Sequence, residues 1–283
     1  MFRIPFEQLP ADIRQIVADK TGALLQAVTV RGGMNSGIAS VLETESGSVF
    51  VKGIPADHPQ VGAQRREAAV APHLPTSCPR LYWHLELDGW SLLGYEVVDG
   101  RHADYAPGSP DLPLVAAALT ELQGISAPAD VEIKQAEERW APYAPEGTAR
   151  YFAGDALLHT DLAPDNVLIT GGRARLVDWA WPTRGAAWID PGALALRLMD
   201  AGHSVEEAVA FARRFPSWCG VAPEVLAAFG AATAALWREI AEQNGTVWKR
   251  AMAQQAATLG RALGAPVSEA GGASASHCPG PRR

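Results

Sequence analysis

The stretch Leu157–Gly172, "LLHTDLAPDNVLITGG", places four polar side chains between an apolar pair and a β-branched run. These are His159, Asp161, Asp165 and Asn166. Buried polar groups cost free energy unless they are paired, so a cluster of this kind needs a compensating reason. The stretch is therefore either an internally hydrogen-bonded turn or a functional site.

The spacing of these residues favours a functional site. His159, Asp161 and Asn166 follow the pattern of the catalytic loop in eukaryotic-like kinases, and Asp178 comes next in "RLVDWA" at the end of a predicted strand. A polar turn between a helix and a strand would explain any one of these residues alone. It does not explain their joint occurrence, so the pattern indicates a site for phosphoryl transfer.

A family resemblance rests on two segments, "HTDLAPDNVLI" and "LVDWAWPTRGAAWIDPG". On these segments the chain resembles the aminoglycoside phosphotransferase-like kinases over roughly residues 20–260. The resemblance implies an α+β, two-lobed protein-kinase-like fold with a mostly antiparallel β N-lobe and a mostly helical C-lobe. It also implies transfer of the γ-phosphate of ATP or GTP to a hydroxyl of a small molecule, with Mg²⁺ as the cofactor.

The same resemblance implies roles for the residues of the two segments. Asp161 would accept or orient the proton of the attacking hydroxyl. Asn166 and Asp178 would hold Mg²⁺, which prefers hard oxygen ligands. His159 is predicted to be a structural hydrogen-bonding residue of the catalytic loop. Asp165 matches no role in the family and is predicted to be a solvated turn residue, with contact to the acceptor as the alternative.

Residues for the nucleotide phosphates are predicted in the N-terminal part. Gly33 and Ser36 lie in "VRGGMNSGIASVL", where members of the family have a loop over the phosphates, although a glycine-rich hairpin is also an ordinary turn. Lys52 lies in the third predicted strand, where kinases hold the lysine that contacts the α- and β-phosphates. Only four of the 24 Lys and Arg residues are Lys, which adds weight to Lys52. Glu67 on the following helix is predicted to form an ion pair with it.

The segment "SLLGYEVVDGR" is predicted to lead from the last N-lobe strand into a hinge. The backbone of residues 96–98, from Glu96 to Val98, would bind the purine. Tyr95 either closes the back of the purine pocket, which would favour GTP, or points into the N-lobe core as alternating strand side chains do. The sequence leaves both alternatives open.

The sequence defines the acceptor-binding residues less clearly than the residues for the nucleotide and the metal. Trp179 and Trp181 either pack in the core or form an aromatic wall against the acceptor. Six carboxylates could bind a cationic acceptor: Glu137, Glu138, Asp165, Asp200, Glu206 and Glu207. The predicted acceptor is an antibiotic of the aminoglycoside, nucleoside or peptide type, whose phosphorylation would give resistance.

Two other classes of function compete with this prediction. A protein kinase usually carries Asp-Phe-Gly and a long activation segment, whereas here Asp178 precedes Trp179-Ala180 and a helix is predicted from about Asp190. A nucleotide-binding pseudokinase is expected to lack at least one of four residues that are all present: Lys52, Asp161, Asn166 and Asp178.

Composition limits the partners and the location. The formal net charge of −7 over 283 residues argues against nucleic acid or an anionic membrane as a partner. The three cysteines show no spacing typical of a zinc site. The sequence shows no long apolar run and no secretory signal pattern at its start, so a cytoplasmic location is predicted. A monomer or weak dimer is also predicted.

The domain organisation follows from a change in pattern near residue 99. We predict an N-lobe over 1–98 that binds the nucleotide, a C-lobe over 99–264 that binds the acceptor, and a disordered tail over 265–283 that is rich in Gly, Ser and Pro. Strands are predicted at 24–30, 38–44, 48–54, 80–87 and 90–98, with a hairpin turn at Asp88-Gly89. Helices are predicted at 6–20, 60–74, 111–126, 130–141, 186–215 and 222–263.

Overall fold

A computed structural model describes residues 3–30 and 36–265 of the chain. These residues fall into two compact units. Unit 1 consists of the described residues within Met1–Ala103, Pro128–Glu132 and Asp165–Pro182. Unit 2 consists of those within Asp104–Ala127, Ile133–Pro164 and Thr183–Arg283.

The strands and helices of the described residues are numbered along the chain. The strands are β1 (Leu24–Thr29), β2 (Ile38–Thr44), β3 (Gly47–Pro55), β4 (Leu81–Leu87), β5 (Trp90–Glu96), β6 (Arg101–His102), β7 (Lys134–Gln135), β8 (Ala156–Leu158), β9 (Val167–Thr170), β10 (Arg173–Leu176) and β11 (Thr183–Gly185). The helices are α1 (Ala11–Thr21), α2 (Val61–Val70), α3 (Leu112–Gln123), α4 (Ala136–Trp140), α5 (Ile189–Asp200), α6 (Val205–Ala212), α7 (Pro223–Gln243) and α8 (Val247–Gly264). None of these helices is long and apolar enough to span a membrane.

Unit 1 is built on an antiparallel five-stranded sheet with the order β1-β2-β3-β5-β4. The five strands predicted from the sequence are confirmed. Asp88 and Gly89 join β4 to β5 with φ angles of 47° and 77°, as a two-residue hairpin turn requires. A smaller sheet of order β10-β9-β6 also belongs to this unit.

The core of unit 1 lies between the sheet and α1. Ile13 and Val17 face inward from α1 and pack with Val51 of β3. The helix predicted over residues 6–20 is divided: a 3-10 turn covers Phe6–Gln8, and α1 starts only after Pro10. Proline lacks a backbone donor and disfavours helical backbone in the residue before it, which explains the break.

Unit 2 is mostly helical and adds a small sheet of order β7-β11-β8. Its core holds an aromatic cluster in which the Trp188 ring packs edge-on against Phe152, Trp218 and Phe229. Helices α7 and α8 pack closely because Gly230 faces Gly260, where a Cβ on Gly230 would lie only 2.9 Å from the Gly260 Cα. The antiparallel sheet in the N-terminal part and the helices that follow confirm the predicted fold class.

Three further predicted helices differ from the structure. The prediction of a helix over 130–141 is wrong outside Ala136–Trp140, because Lys134–Gln135 pairs with β11 as a parallel strand. The helix predicted over 186–215 is broken where Gly202 takes a φ of +102° and Ser204 caps α6. The helix predicted over 222–263 is broken at Asn244, which ends α7 in an extended conformation.

Candidate active site

Lys52 is the centre of a charged cluster in unit 1. It lies on β3, whose alternation buries the neighbouring Val51 in the core and turns Lys52 to the opposite face. Its Nζ lies 2.8 Å from Oε1 of Glu67 on α2 and 2.9 Å from Oδ1 of Asp178. The ion pair expected between Lys52 and Glu67 is therefore present, and Asp178 shares the same ammonium group.

Electrostatics keeps the ammonium of Lys52 charged. Burial alone would lower the pKa of Lys52, but Asp178 and Glu67 together raise it above its ordinary value. Burial raises the pKa of Glu67, and the positive charge of Lys52 opposes that rise. The ammonium of Lys52 therefore stays protonated throughout the physiological range of pH.

Tyr95 supplies the remaining partner of Glu67. Its hydroxyl donates a hydrogen bond of 2.9 Å to Glu67 Oε1, and its ring is buried against Ala68 and Leu93. Burial and the charge of Glu67 raise the pKa of Tyr95 well above its ordinary value, so the hydroxyl remains a donor. The side chain thus points into unit 1, behind the ion pair.

Asp178 combines exposure with an unusual backbone. Its side chain is 44% exposed and its φ is +63°, in a region that residues other than glycine rarely adopt. Asn166 lies beside it, because the carbonyl of Asn166 accepts a hydrogen bond of 2.9 Å from the backbone N–H of Val177. Strained backbone conformations of this kind cluster at functional sites.

The two residues form a donor set that suits Mg²⁺. Magnesium is usually bound through one or two protein oxygens, with water and substrate phosphates completing the octahedron. Asp178 offers a partly exposed carboxylate, and Asn166 brings an amide oxygen to the same part of the chain. Among the described residues there is no group of three or more His, Cys, Asp or Glu side chains arranged for a metal ion. Asp178 and Asn166 could therefore hold a metal that also binds phosphates.

The predicted hinge begins at the end of β5. The carboxylate of Glu96 accepts two hydrogen bonds from Arg175, at 2.8 and 3.1 Å, and one from the backbone N–H of Arg80. The Arg175 hydrogen bonds hold the pKa of Glu96 below its ordinary value. The side chain of Glu96 is therefore engaged within unit 1, and its backbone N–H also donates a hydrogen bond of 2.9 Å to the carbonyl of Arg80.

The glycine-rich segment is described only in part. Gly33 lies outside the described residues. Ser36 is half-buried, and its carbonyl accepts a hydrogen bond of 3.4 Å from Nε of Arg3.

His159, Thr160 and Asp161, which were predicted to belong to a catalytic loop, follow β8 in unit 2 and are held by a buried carboxylate. Asp190, at the start of α5, accepts hydrogen bonds of 2.8 Å from the backbone N–H groups of both His159 and Thr160. Burial raises the pKa of Asp190, and these two donors oppose the rise. His159 is also buried, and its Nδ1 accepts a hydrogen bond of 3.3 Å from the backbone N–H of Asp161. This contact agrees with a structural role for the imidazole.

Arg139 supports the same loop from α4. Its guanidinium donates to the hydroxyls of Thr160 and Thr183, at 2.7 and 2.9 Å. Thr160 has a φ of +66°, so the loop is bent sharply just before Asp161. Two separate elements therefore fix the backbone that carries the Asp161 carboxylate.

Arg197 contacts Asp161 directly. Its Nη2 lies 2.7 Å from Oδ1 of Asp161, and the Asp161 side chain is 37% exposed. Sequence reasoning missed Arg197 and assigned no role to Asp190. The spacing between Asp190 and Arg197 is a sequence signal that could have identified both residues. Seven positions place them on one face of the helix that follows the segment of Asp161.

The predicted acceptor residues lie in different surroundings. Asp165 is exposed in a 3-10 turn, as expected of a solvated residue. Trp179 is only 2% exposed, which favours the core-packing interpretation. Trp181 is half-buried.

No protein-family model and no curated protein matches this sequence. Solved structures do match its fold. Aminoglycoside phosphotransferase APH(4)-Ia is 14% identical with a TM-score of 0.61, and the match covers 90% of this chain and 99% of that one. Choline kinase LicA from Streptococcus pneumoniae is 14% identical with a TM-score of 0.59, covering 89% and 100%.

A third similar structure is a putative aminoglycoside phosphotransferase from Ralstonia eutropha. It is 11% identical with a TM-score of 0.57, and the match covers 90% of this chain and 97% of that one. The chain therefore has the protein-kinase-like fold of small-molecule kinases, and the fold predicted from the family resemblance is confirmed. At these identities the likeness shows the fold alone, so an activity has to be argued from the residues of this chain.

Proposed function

We propose that the protein is a nucleoside-triphosphate-dependent O-phosphotransferase that acts on a hydroxyl of a small molecule. The observation that carries this proposal is the position of Lys52, whose Nζ lies within 2.9 Å of both Glu67 and Asp178. A lysine fixed between a helix glutamate and a metal-binding aspartate is the arrangement that orients the nucleotide phosphates in protein kinases. Asp161 supplies the second requirement, a carboxylate for the acceptor proton.

The proposed reaction transfers one phosphoryl group. The oxygen of the acceptor hydroxyl bonds to the γ-phosphorus while the bond from that phosphorus to the β–γ bridging oxygen breaks, and the nucleoside diphosphate leaves. The hydroxyl proton passes to the carboxylate of Asp161. This carboxylate is partly exposed, and Arg197, Asp190 and His159 hold it and its loop in place. Positioning of this kind supplies most of the rate enhancement in phosphoryl transfer.

Lys52 and the hinge would bind the nucleotide. The ammonium of Lys52 stays charged and can neutralise the α- and β-phosphates. Within the described residues the backbone of Val98 makes no hydrogen bond to the protein, which leaves its N–H and carbonyl for a purine. APH(4)-Ia has been solved with ADP and hygromycin B, and LicA with AMP. We propose ATP or GTP as the donor here.

Asn166 and Asp178 would hold the metal, and their oxygen donors fit Mg²⁺. When bound, Mg²⁺ neutralises negative charge on the phosphates and fixes their orientation. Asp178 would bind the metal through its partly exposed carboxylate, whose Oδ1 also contacts Lys52.

We propose that the acceptor is an antibiotic and that its phosphorylation gives resistance. The support is the fold shared with aminoglycoside phosphotransferases, together with the partly exposed base at Asp161. Because nucleoside triphosphates are supplied in the cytoplasm, we also propose that the enzyme acts there as a monomer or weak dimer.

Two alternative functions have less support. A protein kinase needs a long activation segment, and here α5 begins at Ile189, eleven residues after Asp178. A pseudokinase needs the loss of a catalytic residue, whereas Lys52, Glu67 and Asp178 form a complete ion-paired cluster.

An acceptor panel tests the proposal. Purified protein is incubated with Mg²⁺ and either ATP or GTP, together with hydroxylated antibiotics of the three predicted types, and phosphorylated products are sought by mass. Calorimetry of nucleotide binding with and without Mg²⁺ is run in parallel on wild type, Asp178→Ala and the exposed-site control Asp165→Ala. We expect a phosphorylated product and a loss of Mg²⁺-dependent binding in Asp178→Ala alone. Nucleotide binding without transfer to any acceptor or to water would support a pseudokinase instead.

A further inference from the structure

Arg197 places a positive charge directly on the proposed base. It lies on α5 seven residues after Asp190, so both side chains project from the same face of the helix. Asp190 binds the backbone of the loop, and the guanidinium of Arg197 contacts the Asp161 carboxylate at 2.7 Å. One helix thus positions the loop and partly neutralises its functional carboxylate.

The other surroundings of Arg197 are aromatic and apolar rather than acidic. Its guanidinium lies 5.4 Å from the centre of the Trp237 ring, and Nη1 contacts the sulfur of Met252 at 3.8 Å. Trp237 in turn packs against Trp248, with ring centres 6.2 Å apart. Among the described residues, Asp161 is the only carboxylate within ion-pairing distance of Arg197.

Tyr105 adds a neutral polar group to this region. Its ring is buried, and its hydroxyl makes no hydrogen bond to any described residue. Burial raises the pKa of Tyr105, the charge of Arg197 opposes that rise, and the charge of Asp161 adds to it. Buried hydroxyls are paired in native proteins, by a ligand or by water where the protein offers no partner.

Three of the six carboxylates suggested for a cationic acceptor, Asp200, Glu206 and Glu207, lie at helix ends and are exposed. Glu207 is used in the capping box of α6, where its side chain accepts from the backbone of Ser204. Glu206 lies in the exposed first turn of the same helix, and Asp200 is exposed at the end of α5. These groups act at helix ends and in solvent.

From these contacts we infer that Arg197 restricts the enzyme to acceptors that carry no positive charge beside the reacting hydroxyl, and that polycationic aminoglycosides are excluded. This inference rests on the proposed function. A cationic acceptor has to approach Asp161, where the guanidinium of Arg197 would repel it. The same guanidinium already offsets the negative charge by which Asp161 would attract the cation. An uncharged hydroxyl compound avoids this repulsion and can pack on the half-buried Trp237.

The test uses hygromycin B and kanamycin as polycationic probes. Binding to protein saturated with Mg²⁺ and a non-hydrolysable nucleotide is measured by calorimetry at low salt, and phosphorylation is measured with ATP and GTP. The variants are Arg197→Gln, Arg197→Lys and the control Arg213→Gln. Arg213 is exposed at the end of α6, so its substitution changes the net charge equally without touching Asp161.

We expect wild type to transfer no phosphate to either probe and to bind each with a Kd weaker than about 1 mM, on the order of the weakest affinities that calorimetry resolves. Arg197→Gln should bind at least about tenfold more tightly, while Arg197→Lys and Arg213→Gln should change binding by less than about twofold. Phosphorylation of either probe by wild type would overturn the inference whether or not the variants fold. A folded Arg197→Gln that binds no more tightly than Arg213→Gln would also overturn it.

A result that contradicts the proposed function differs from one that contradicts this inference alone. It would appear as the absence of Mg²⁺-dependent nucleotide binding to wild type in the same calorimeter. The inference is supported if wild type binds nucleotide but rejects the polycations, and if Arg197→Gln binds the polycations more tightly.

Discussion

The phenol oxygen of Tyr95 lies 2.9 Å from Oε1 of Glu67, and this hydrogen bond ties β5 to α2 within unit 1. Glu67 also binds Lys52, so one carboxylate oxygen links the strand that leads into the hinge to the lysine proposed to bind phosphate. The tyrosine hydroxyl therefore has a structural task that a phenylalanine cannot perform.

Tyr95→Phe should reduce the free energy of unfolding. A hydrogen bond to a charged group contributes about 1.5–3 kcal/mol, and its loss here leaves a buried carboxylate with one donor fewer. Urea denaturation compares Tyr95→Phe with Tyr82→Phe, whose ring is 48% exposed. Equal stability of the two variants would show that the hydroxyl of Tyr95 contributes nothing.

Glu67 should give the stability a characteristic dependence on pH. Burial raises its pKa despite the opposing charge of Lys52, so the native state holds the proton more tightly than the unfolded state. Stability from this group is therefore fully present below the unfolded pKa of about 4.3 and is lost as pH rises through the folded pKa. Relative to Glu67→Gln, which does not titrate, wild type should therefore lose stability as the pH rises above the unfolded pKa of about 4.3. A wild-type advantage that grows with pH in urea denaturation would show that the pKa is lowered instead.

Gly94 should tolerate no side chain. A Cβ at this position would lie far inside the van der Waals distance of the Trp83 indole ring on the neighbouring strand. Gly94→Ala should therefore cost about 1–3 kcal/mol of stability, as overpacking does. The control is Gly62→Ala on α2, where the nearest atom is an Arg66 guanidinium nitrogen at 3.5 Å. Thermal denaturation should show a clear loss for Gly94→Ala and an unchanged or raised Tm for Gly62→Ala.

The five strands of the large sheet could be predicted because their local signals agree. Runs of β-branched and apolar residues are separated by Gly-rich breaks, and Asp88-Gly89 specifies a two-residue turn. The pairing of Lys52 with Glu67 could also be expected, because the third strand and the following helix occur in the order that kinases show. Local pattern and motif order point to the same arrangement here.

Contacts that depend on distant parts of the chain could not be predicted. From the sequence alone, Asp190 is an ordinary acidic residue in the first turn of a helix. The structure shows that its carboxylate binds the backbone N–H of His159. Lys134 and Gln135 have a helical pattern, yet pairing with β11 makes them a strand. Arg197 is separated by 36 residues from the carboxylate it contacts. Local helix and strand propensities do not predict contacts between residues so far apart in the sequence.

Asp161→Asn tests the central claim most directly. Asn keeps the size of the side chain but cannot accept the proton of the acceptor, so turnover should fall by about 10²- to 10⁴-fold. Nucleotide affinity should stay within about threefold of wild type, because Lys52 and Asp178 are unchanged. Asp165→Asn is the matched control, since Asp165 is an exposed residue of the following turn. Phosphoryl transfer is followed in all three proteins with the same nucleotide and acceptor. A loss confined to Asp161→Asn is the predicted result, and near wild-type transfer by Asp161→Asn would contradict the proposed phosphotransferase mechanism.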